Sequence, residues 1–222
     1  HADCMEYLAS LPDKAFDLAI VDPPYGAGDV AAFTPRAKGS NKNKIHKEIE
    51  WNTVPTQEYF DELFRVSKNQ IIWGANYLCD KLPLSRGWVF WDKIYENTFN
   101  FSAGELAWTS FDSVLKMYRC SARWTPNEPL FVHPTQKPIQ LYKWLLSHYA
   151  KPGDRILDTH GGSGSICIAC HDLGFDLTWM ELDADYYAAA CKRYKDHAAQ
   201  AVLFEPQEII QKTYNNEFDL TS

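Results

Sequence analysis

Two consecutive prolines constrain this chain more than any other feature. Pro23 and Pro24 close the apolar run Phe16-Asp17-Leu18-Ala19-Ile20-Val21 and are framed by Asp22 and Tyr25. The run reads as a buried strand. Neither proline has an N–H to give to a ladder and both fix φ, so the strand ends at Asp22 in a stiff turn. A carboxylate, the Pro23 carbonyl and an aromatic ring are thereby presented at the carboxyl end of a strand. Open α/β sheets bind their ligands at that edge. Two acceptors beside a stacking surface suit a planar group that carries an exocyclic amine. Taken alone, the tetrapeptide reads equally well as a structural turn whose Tyr25 covers the core.

The rest of the chain alternates strands with helices. Thr56–Ser67 has an amphipathic helical pattern, and Gln70–Gly74, Trp88–Trp91 and Val114–Cys120 read as strands. A helix is expected over Ile139–Tyr149, with Pro138 at its start. After the turn at Pro152-Gly153-Asp154 come a strand at Arg155–Asp158, a glycine loop, a helix to about Gly174, a strand at Leu177–Leu182 and a helix at Ala184–Ala201. This order predicts an α/β fold with a doubly wound, Rossmann-like, mainly parallel sheet. With 222 residues and no linker or repeat, residues 1–222 read as a single domain.

The glycine loop is Thr159-His160-Gly161-Gly162-Ser163-Gly164-Ser165. Glycines opening a helix let amide N–H groups approach a ligand. The loop is not a phosphate-binding Walker loop, because no Gly-Lys-Ser/Thr follows, and Cys167 stands where a dinucleotide fingerprint has its third glycine. Glu181 follows Asp158 by 23 positions (181 − 158), at the end of the next predicted strand. An acid at about that spacing accepts ribose hydroxyls in nucleotide folds. Strand, loop, helix, strand and acid together point to a nucleoside-type cofactor. Asp183, just before Ala184, is the better candidate for capping the last helix.

Charge and cysteine usage narrow the setting. The net charge of −7 argues against broad, nonspecific nucleic-acid coating. A basic loop at about 30–52 is the exception: Arg36, Lys38, Lys42, Lys44 and Lys47 stand among Gly, Ser and Asn, directly after the proline turn. Such a loop reads either as solvated or as a phosphate contact. The six scattered cysteines do not form a disulfide framework, so reduced thiols and a cytoplasmic location are expected. Cys167 and Cys170 form C-x-x-C inside an apolar helical stretch and read as core rather than metal ligands, since no second pair follows. The histidines show no spacing that makes a metal set, and no metal is expected. No run of about 18 apolar residues is present, so no membrane span is expected. His1 is not a natural start, and the chain reads as trimmed there.

With these residues in view, nearly the whole chain resembles the β class of S-adenosylmethionine-dependent DNA amino-methyltransferases, which modify adenine N6 or cytosine N4. Asp22-Pro23-Pro24-Tyr25 is similar to the catalytic motif. His133-Pro134-Thr135-Gln136-Lys137-Pro138 resembles the segment that helps hold the methionine end of the cofactor. Asp158–Gly164 resembles the cofactor loop, and Met180-Glu181-Leu182-Asp183 with Tyr186 the ribose-binding strand. Asp3-Cys4-Met5-Glu6-Tyr7-Leu8 resembles the segment whose acid reaches the cofactor's adenine. His160 departs from the family's Phe, so packing against the cofactor is expected to differ.

The resemblance implies a methyltransferase sheet with an antiparallel edge strand and a circularly permuted motif order. It implies Asp22, Pro23, Pro24 and Tyr25 as catalytic. Asp3, His133, Thr135, Lys137, Asp158, His160, Gly161, Gly162, Ser163, Gly164, Glu181 and Asp183 would bind S-adenosylmethionine. The partner is DNA, met by the basic loop and by Arg123, in or near a short target-recognition segment at about 112–131. The target base must leave the stack to react. Tyr25 would stack on it while Asp22 and the Pro23 carbonyl accept from its amine. Asp at the first motif position leans toward adenine N6 over cytosine N4. Arg123, Trp124 and the aromatics near Trp51 also read as ordinary packing. A noncatalytic nucleic-acid-binding subunit and an enzyme acting on another planar amide or amine are the competing readings. A homodimer and a paired restriction nuclease stay open.

Overall fold

The computed structural model describes residues 1–26, 53–94, 102–121, 133 and 135–199. The elements in chain order are α1 (Cys4–Ala9), β1 (Phe16–Val21), α2 (Gln57–Val66), β2 (Ser67–Trp73), β3 (Trp88–Asp92), β4 (Gly104–Thr109), β5 (Lys116–Arg119), α3 (Ile139–Tyr149), β6 (Arg155–Asp158), α4 (Ser165–Leu173), β7 (Asp176–Trp179) and α5 (Ala184–Ala198). The strands form one seven-stranded sheet in the order β5-β3-β4-β2-β1-β6-β7.

β1 lies in the middle, parallel to both β2 and β6. Its apolar run is continuous because both faces are covered, as parallel strands require. Leu18 and Ile20 join the core beneath α3 and α4, with Ile71, Trp73, Trp91, Leu141, Leu145 and Ile166. Ala19 and Val21 face the other way, into a second core with Leu8, Tyr59, Phe60, Leu63 and Ile72. The sheet is therefore doubly wound. α2 buries Tyr59, Phe60, Leu63 and Val66, one stripe at helical spacing. Each such side chain contributes about 1.5–3 kcal/mol when fully buried. β1, which carries the proline turn, precedes β6 in the chain and pairs with it through Leu18↔Ile156 and Ala19↔Leu157. That is the permuted order the motifs imply.

The expected antiparallel strand exists, but not at the edge. β4 is the reversed strand and lies inside the sheet, antiparallel to β2 on one side and to β3 on the other. The sequence did not announce it: Gly104-Glu105 opens the segment, and only Leu106-Ala107-Trp108 is apolar. Tertiary pairing supplies what propensity lacks, through Trp73↔Ala107 with β2 and Trp91↔Glu105 with β3. β7 stops at Trp179, short of the expected Leu182, because the next residues turn back onto the glycine loop.

Cys167 and Cys170 sit on α4 against the first core, and burial pushes both thiols upward. All six cysteines are free thiols. No described helix is long and apolar enough to cross a membrane.

Candidate active site

The parallel strands end at one edge of the sheet, and the reversed β4 begins there. Asp22 leaves β1 at this edge. Its Oδ2 forms an ion pair with Nζ of Lys137, which lies just before α3 and is 3% exposed. The same Nζ lies 3.1 Å from Oε2 of Glu105, near the start of β4. Asp22 Oδ1 is buried and has no hydrogen-bond partner among the described residues. Burial pushes the Asp22 carboxyl upward and Glu105 adds to this, while Lys137 opposes both. Burial also works against the Lys137 ammonium, yet Asp22 and Glu105 together hold it charged, well above its ordinary value. The site thus holds one fixed carboxylate oxygen and one open one. An open, buried acceptor costs free energy unless something donates to it.

Tyr25 stands beside this carboxylate, its ring stacked on Tyr77 at 4.9 Å with an interplanar angle of 4°. Tyr77 belongs to the short 3-10 turn Ala75–Tyr77 after β2. Gly74, at φ +67°, makes the approach feasible, since a Cβ there would lie 2.3 Å from Tyr25 Cδ1. Burial pushes the Tyr25 phenol far up, so it stays neutral. The two rings form a flat aromatic platform next to the open acceptor.

The glycine loop runs from β6 to α4. Asp158 is buried and accepts from His160 N at 3.0 Å, and burial raises its carboxyl to about 8. The His160 ring packs edge-on against Tyr59, with Nδ1 2.9 Å from Thr159 Oγ1. Burial lowers His160 to about 4, so the imidazole there is neutral. Gly161 has Trp179 directly against it: an added Cβ would lie 1.4 Å from the indole Nε1. Glu181 accepts from Gly162 N and Asp183 N, each at 2.8 Å. Arg193, on α5, braces the loop by donating to Ser163 O at 3.0 Å and Ser165 Oγ at 2.9 Å. Gly164 packs closely on Ala190 of α5.

His133 faces the loop. A Cβ on Gly162 would stand 3.7 Å from the His133 ring, so the loop and the imidazole enclose a space that one side-chain carbon would fill. Burial, helped by Lys137, lowers His133 to about 4. Its Nδ1 lies 3.0 Å from Thr135 Oγ1 and its ring packs on Tyr186. Asp3 caps α1 through Met5 N, and the N-terminal segment reaches the turn after β7, where His1 Nε2 meets Leu182 O at 2.8 Å. Asp183 caps α5, as its position predicted, accepting from Asp185 N and Tyr186 N.

The fold therefore gathers Asp22, Tyr25, His133, Thr135, Lys137, Asp158 and Glu181, from distant parts of the chain, along one edge. Lys137 is found on Asp22. Arg36, Lys38, Lys42, Lys44, Lys47 and Arg123, like Trp51 and Trp124, lie outside the described residues. The sequence reading missed Glu105, Lys93, Tyr59, Tyr77, Trp179 and Arg193. Glu105 stands at the head of a segment that the sequence does not mark as a strand. No signal marked the others, which are defined by what they touch. The sequence also gave no metal set, whereas the fold brings His171, Asp172 and His197 together between the ends of α4 and α5, with ligand atoms within 4.8 Å of one another. Lys143 already neutralises that carboxylate, at 2.6 Å from Asp172 Oδ2.

Comparison with known proteins bears on this edge. An N6/N4 methyltransferase family model, described as DNA methylase, matches residues 108–192. The type II methyltransferase M.HpaI of Haemophilus parainfluenzae is 24% identical over 86% of this chain and 72% of its own length. The solved structure of an M1.HpyAVI–SAM complex superposes with a TM-score of 0.55 at 20% identity, covering 87% of this chain and 96% of that one. The cytosine-N4-specific PvuII DNA methyltransferase superposes with a TM-score of 0.58 at 14% identity, over 96% and 89% of the two chains. Residues 108–192 thus match the N6/N4 DNA methylase family model, and the fold of most of the chain is like that of these two solved methyltransferases.

Proposed function

We propose that this protein transfers a methyl group from S-adenosylmethionine to the exocyclic amine of a base in DNA, with adenine N6 as the target. The observation that carries the reading is the divided Asp22 carboxylate: Oδ2 is held by Lys137, and Oδ1 is buried without a partner beside the Tyr25 ring. That is an acceptor awaiting a donor, and an exocyclic amine next to a flat ring is such a donor.

The cofactor, when bound, supplies a methyl group on a sulfonium, whose sulfur departs as a neutral thioether, a good leaving group. The chain's own residues do the rest. Glu181 is the acceptor for ribose hydroxyls, and the amides of Gly161 to Gly164 line the loop. His133 and His160 are neutral at physiological pH, so they add no positive charge beside a cation. The space between Gly162 and His133 fits this use, since a Cβ would fill it.

A stacked base cannot reach Asp22, so it is flipped out of the helix. Tyr25, backed by Tyr77, stacks on it; such stacking contributes about 1–3 kcal/mol. Asp22 Oδ1 and the Pro23 carbonyl accept the two amine hydrogens. This directs the nitrogen lone pair away from them and stabilises the positive charge that develops during transfer. Positioning accounts for much of the acceleration. The basic residues Arg36, Lys38, Lys42, Lys44, Lys47 and Arg123 would neutralise phosphates, which orient the duplex without reading sequence.

A second reading, cytosine N4, is favoured by the fold likeness to the PvuII enzyme. The same two acceptors serve either amine. Labelled S-adenosylmethionine, unmethylated DNA and digestion to nucleosides decide between them. Label in N6-methyladenosine that disappears with Asp22→Ala supports the proposal. Label in N4-methylcytosine replaces the base and keeps the mechanism. No transfer to DNA at all sinks the reading.

A further inference from the structure

We propose that Lys93 is a positioning residue that occupies Glu105, keeps Lys137 committed to Asp22, and so sets the lowest pH at which the site works. The inference rests on the function proposed above for Asp22. Lys93 follows β3 and Glu105 is the second residue of β4, where it pairs in register with Trp91, two positions before Lys93. Neither belongs to any motif read from the sequence.

Four charges stand in a row. Lys93 Nζ lies 2.5 Å from Glu105 Oε1, Glu105 Oε2 lies 3.1 Å from Lys137 Nζ, and Lys137 meets Asp22 Oδ2. Two indoles support the row: Lys93 Nζ lies 5.0 Å from the centroid of Trp91, and Lys137 Nζ lies 5.3 Å from that of Trp73. The indoles pack edge-on at 6.3 Å. The Lys93 and Glu105 side chains are 15% and 20% exposed, so water screens the row only in part.

The alternation matters. Lys137 alone would be divided between two carboxylates, leaving the buried group with a net charge of −1. Like charges in one site push a carboxyl upward. Lys93 satisfies one oxygen of Glu105 and brings the row to neutrality. Glu105 accordingly sits below its ordinary value even though burial pushes it up, because Lys137 and Lys93 outweigh burial. The remaining groups around Asp22 do not replace Lys93. Tyr25, Tyr59 on α2 and Tyr142 on α3 are held neutral by burial. His133 is neutral, and Asp158 on β6 can add only negative charge. A protonated Asp22 would carry a hydrogen where the mechanism needs an acceptor.

The test is the pH dependence of methyl transfer at saturating cofactor for wild type, Lys93→Gln and Lys93→Arg, with Lys68→Gln as a control at the far end of the sheet. Asp22 is followed in parallel by carboxyl 13C NMR, assigned with Asp22→Asn. Lys93→Gln is expected to move both the acid limb and the Asp22 titration upward by about one pH unit. Activity above the limb should stay within about threefold of wild type, and Lys93→Arg should restore the wild-type profile. A lower melting temperature in Lys93→Gln with an unmoved limb and titration would mean a merely structural ion pair and would overturn the proposal. If Asp22 titrates upward as expected but even wild type transfers no methyl group to DNA, the linkage stands and the proposed function fails.

Discussion

Lys137 and Asp22 stand 115 positions apart in the chain and form an ion pair in which only one carboxylate oxygen takes part. The other oxygen is buried and open. Removing Asp22 should therefore abolish chemistry without dismantling the proposed cofactor site, the loop after β6 and Glu181 just past β7. Asp22→Ala is expected to lower methyl transfer by on the order of 10²-fold or more. Cofactor affinity, measured by calorimetry, should stay within about threefold. A variant that loses both together would show that Asp22 supports the fold of the edge rather than the reaction.

The aromatic platform predicts a graded series. Tyr25→Ala should weaken binding of DNA carrying a mismatched, easily flipped target by about 1–3 kcal/mol. Tyr77→Ala should cost less, since Tyr77 acts by backing Tyr25. Gly74→Ala places a methyl group 2.3 Å from Tyr25 at a backbone φ of +67°. It should reduce transfer while leaving cofactor affinity intact. Equal losses from Tyr77→Ala and Tyr25→Ala would make both rings direct contacts.

Trp179 and Gly161 predict a coupled pair. Gly161→Ala drives a methyl group into the indole and should destabilise the protein by about 1–3 kcal/mol in urea melts. Trp179→Leu in the same chain should recover part of that loss, because the carbon then has room. A double-mutant cycle with no coupling would mean that the loop yields elsewhere.

Buried titrating groups predict a stability profile with two slopes. His133 and His160 titrate at about 4 in the fold, below the ordinary 6.5. The unfolded chain therefore binds more protons between those values, and stability is lost as pH falls from about 6.5 to 4. Asp158 runs the other way. Its carboxyl is raised from 3.8 to about 8, so the folded state holds a proton that the unfolded chain releases, and stability declines as pH rises from about 4 to 8. Thermal melts should show His160→Phe less sensitive to acid than wild type. Asp158→Asn should be the more stable protein at pH 8. An Asp158→Asn melting curve that tracks wild type from pH 5 to 8 would show that this carboxyl is ionised throughout.

Much of the fold was legible in the sequence because its signals are local. Prolines at 23 and 24 end β1, Pro138 marks the start of α3, and Asp183 caps α5 where an Asp before an alanine run should. The apolar run of β1 announced a strand covered on both faces. β4 was not legible: two of its six residues, Gly104 and Glu105, disfavour a strand, and it owes its conformation to the neighbours on either side. With β4 went Glu105, and with Glu105 the charge row that reaches Asp22.

The sequence by itself determined where strands must stop and which residues stand at those stops: Asp22 and Tyr25 after β1, the glycines after β6, Glu181 just past β7. Backbone chemistry within a few residues is enough for that, since a proline or a glycine acts on its own φ. Only the tertiary structure decided what those residues touch. Lys137 meets Asp22, and Glu105 and Lys93 stand behind it, because a reversed strand pairs in one register between β2 and β3. Register is chosen by the burial of whole strands against one another, and a charge pair at a strand's end is carried along by that choice.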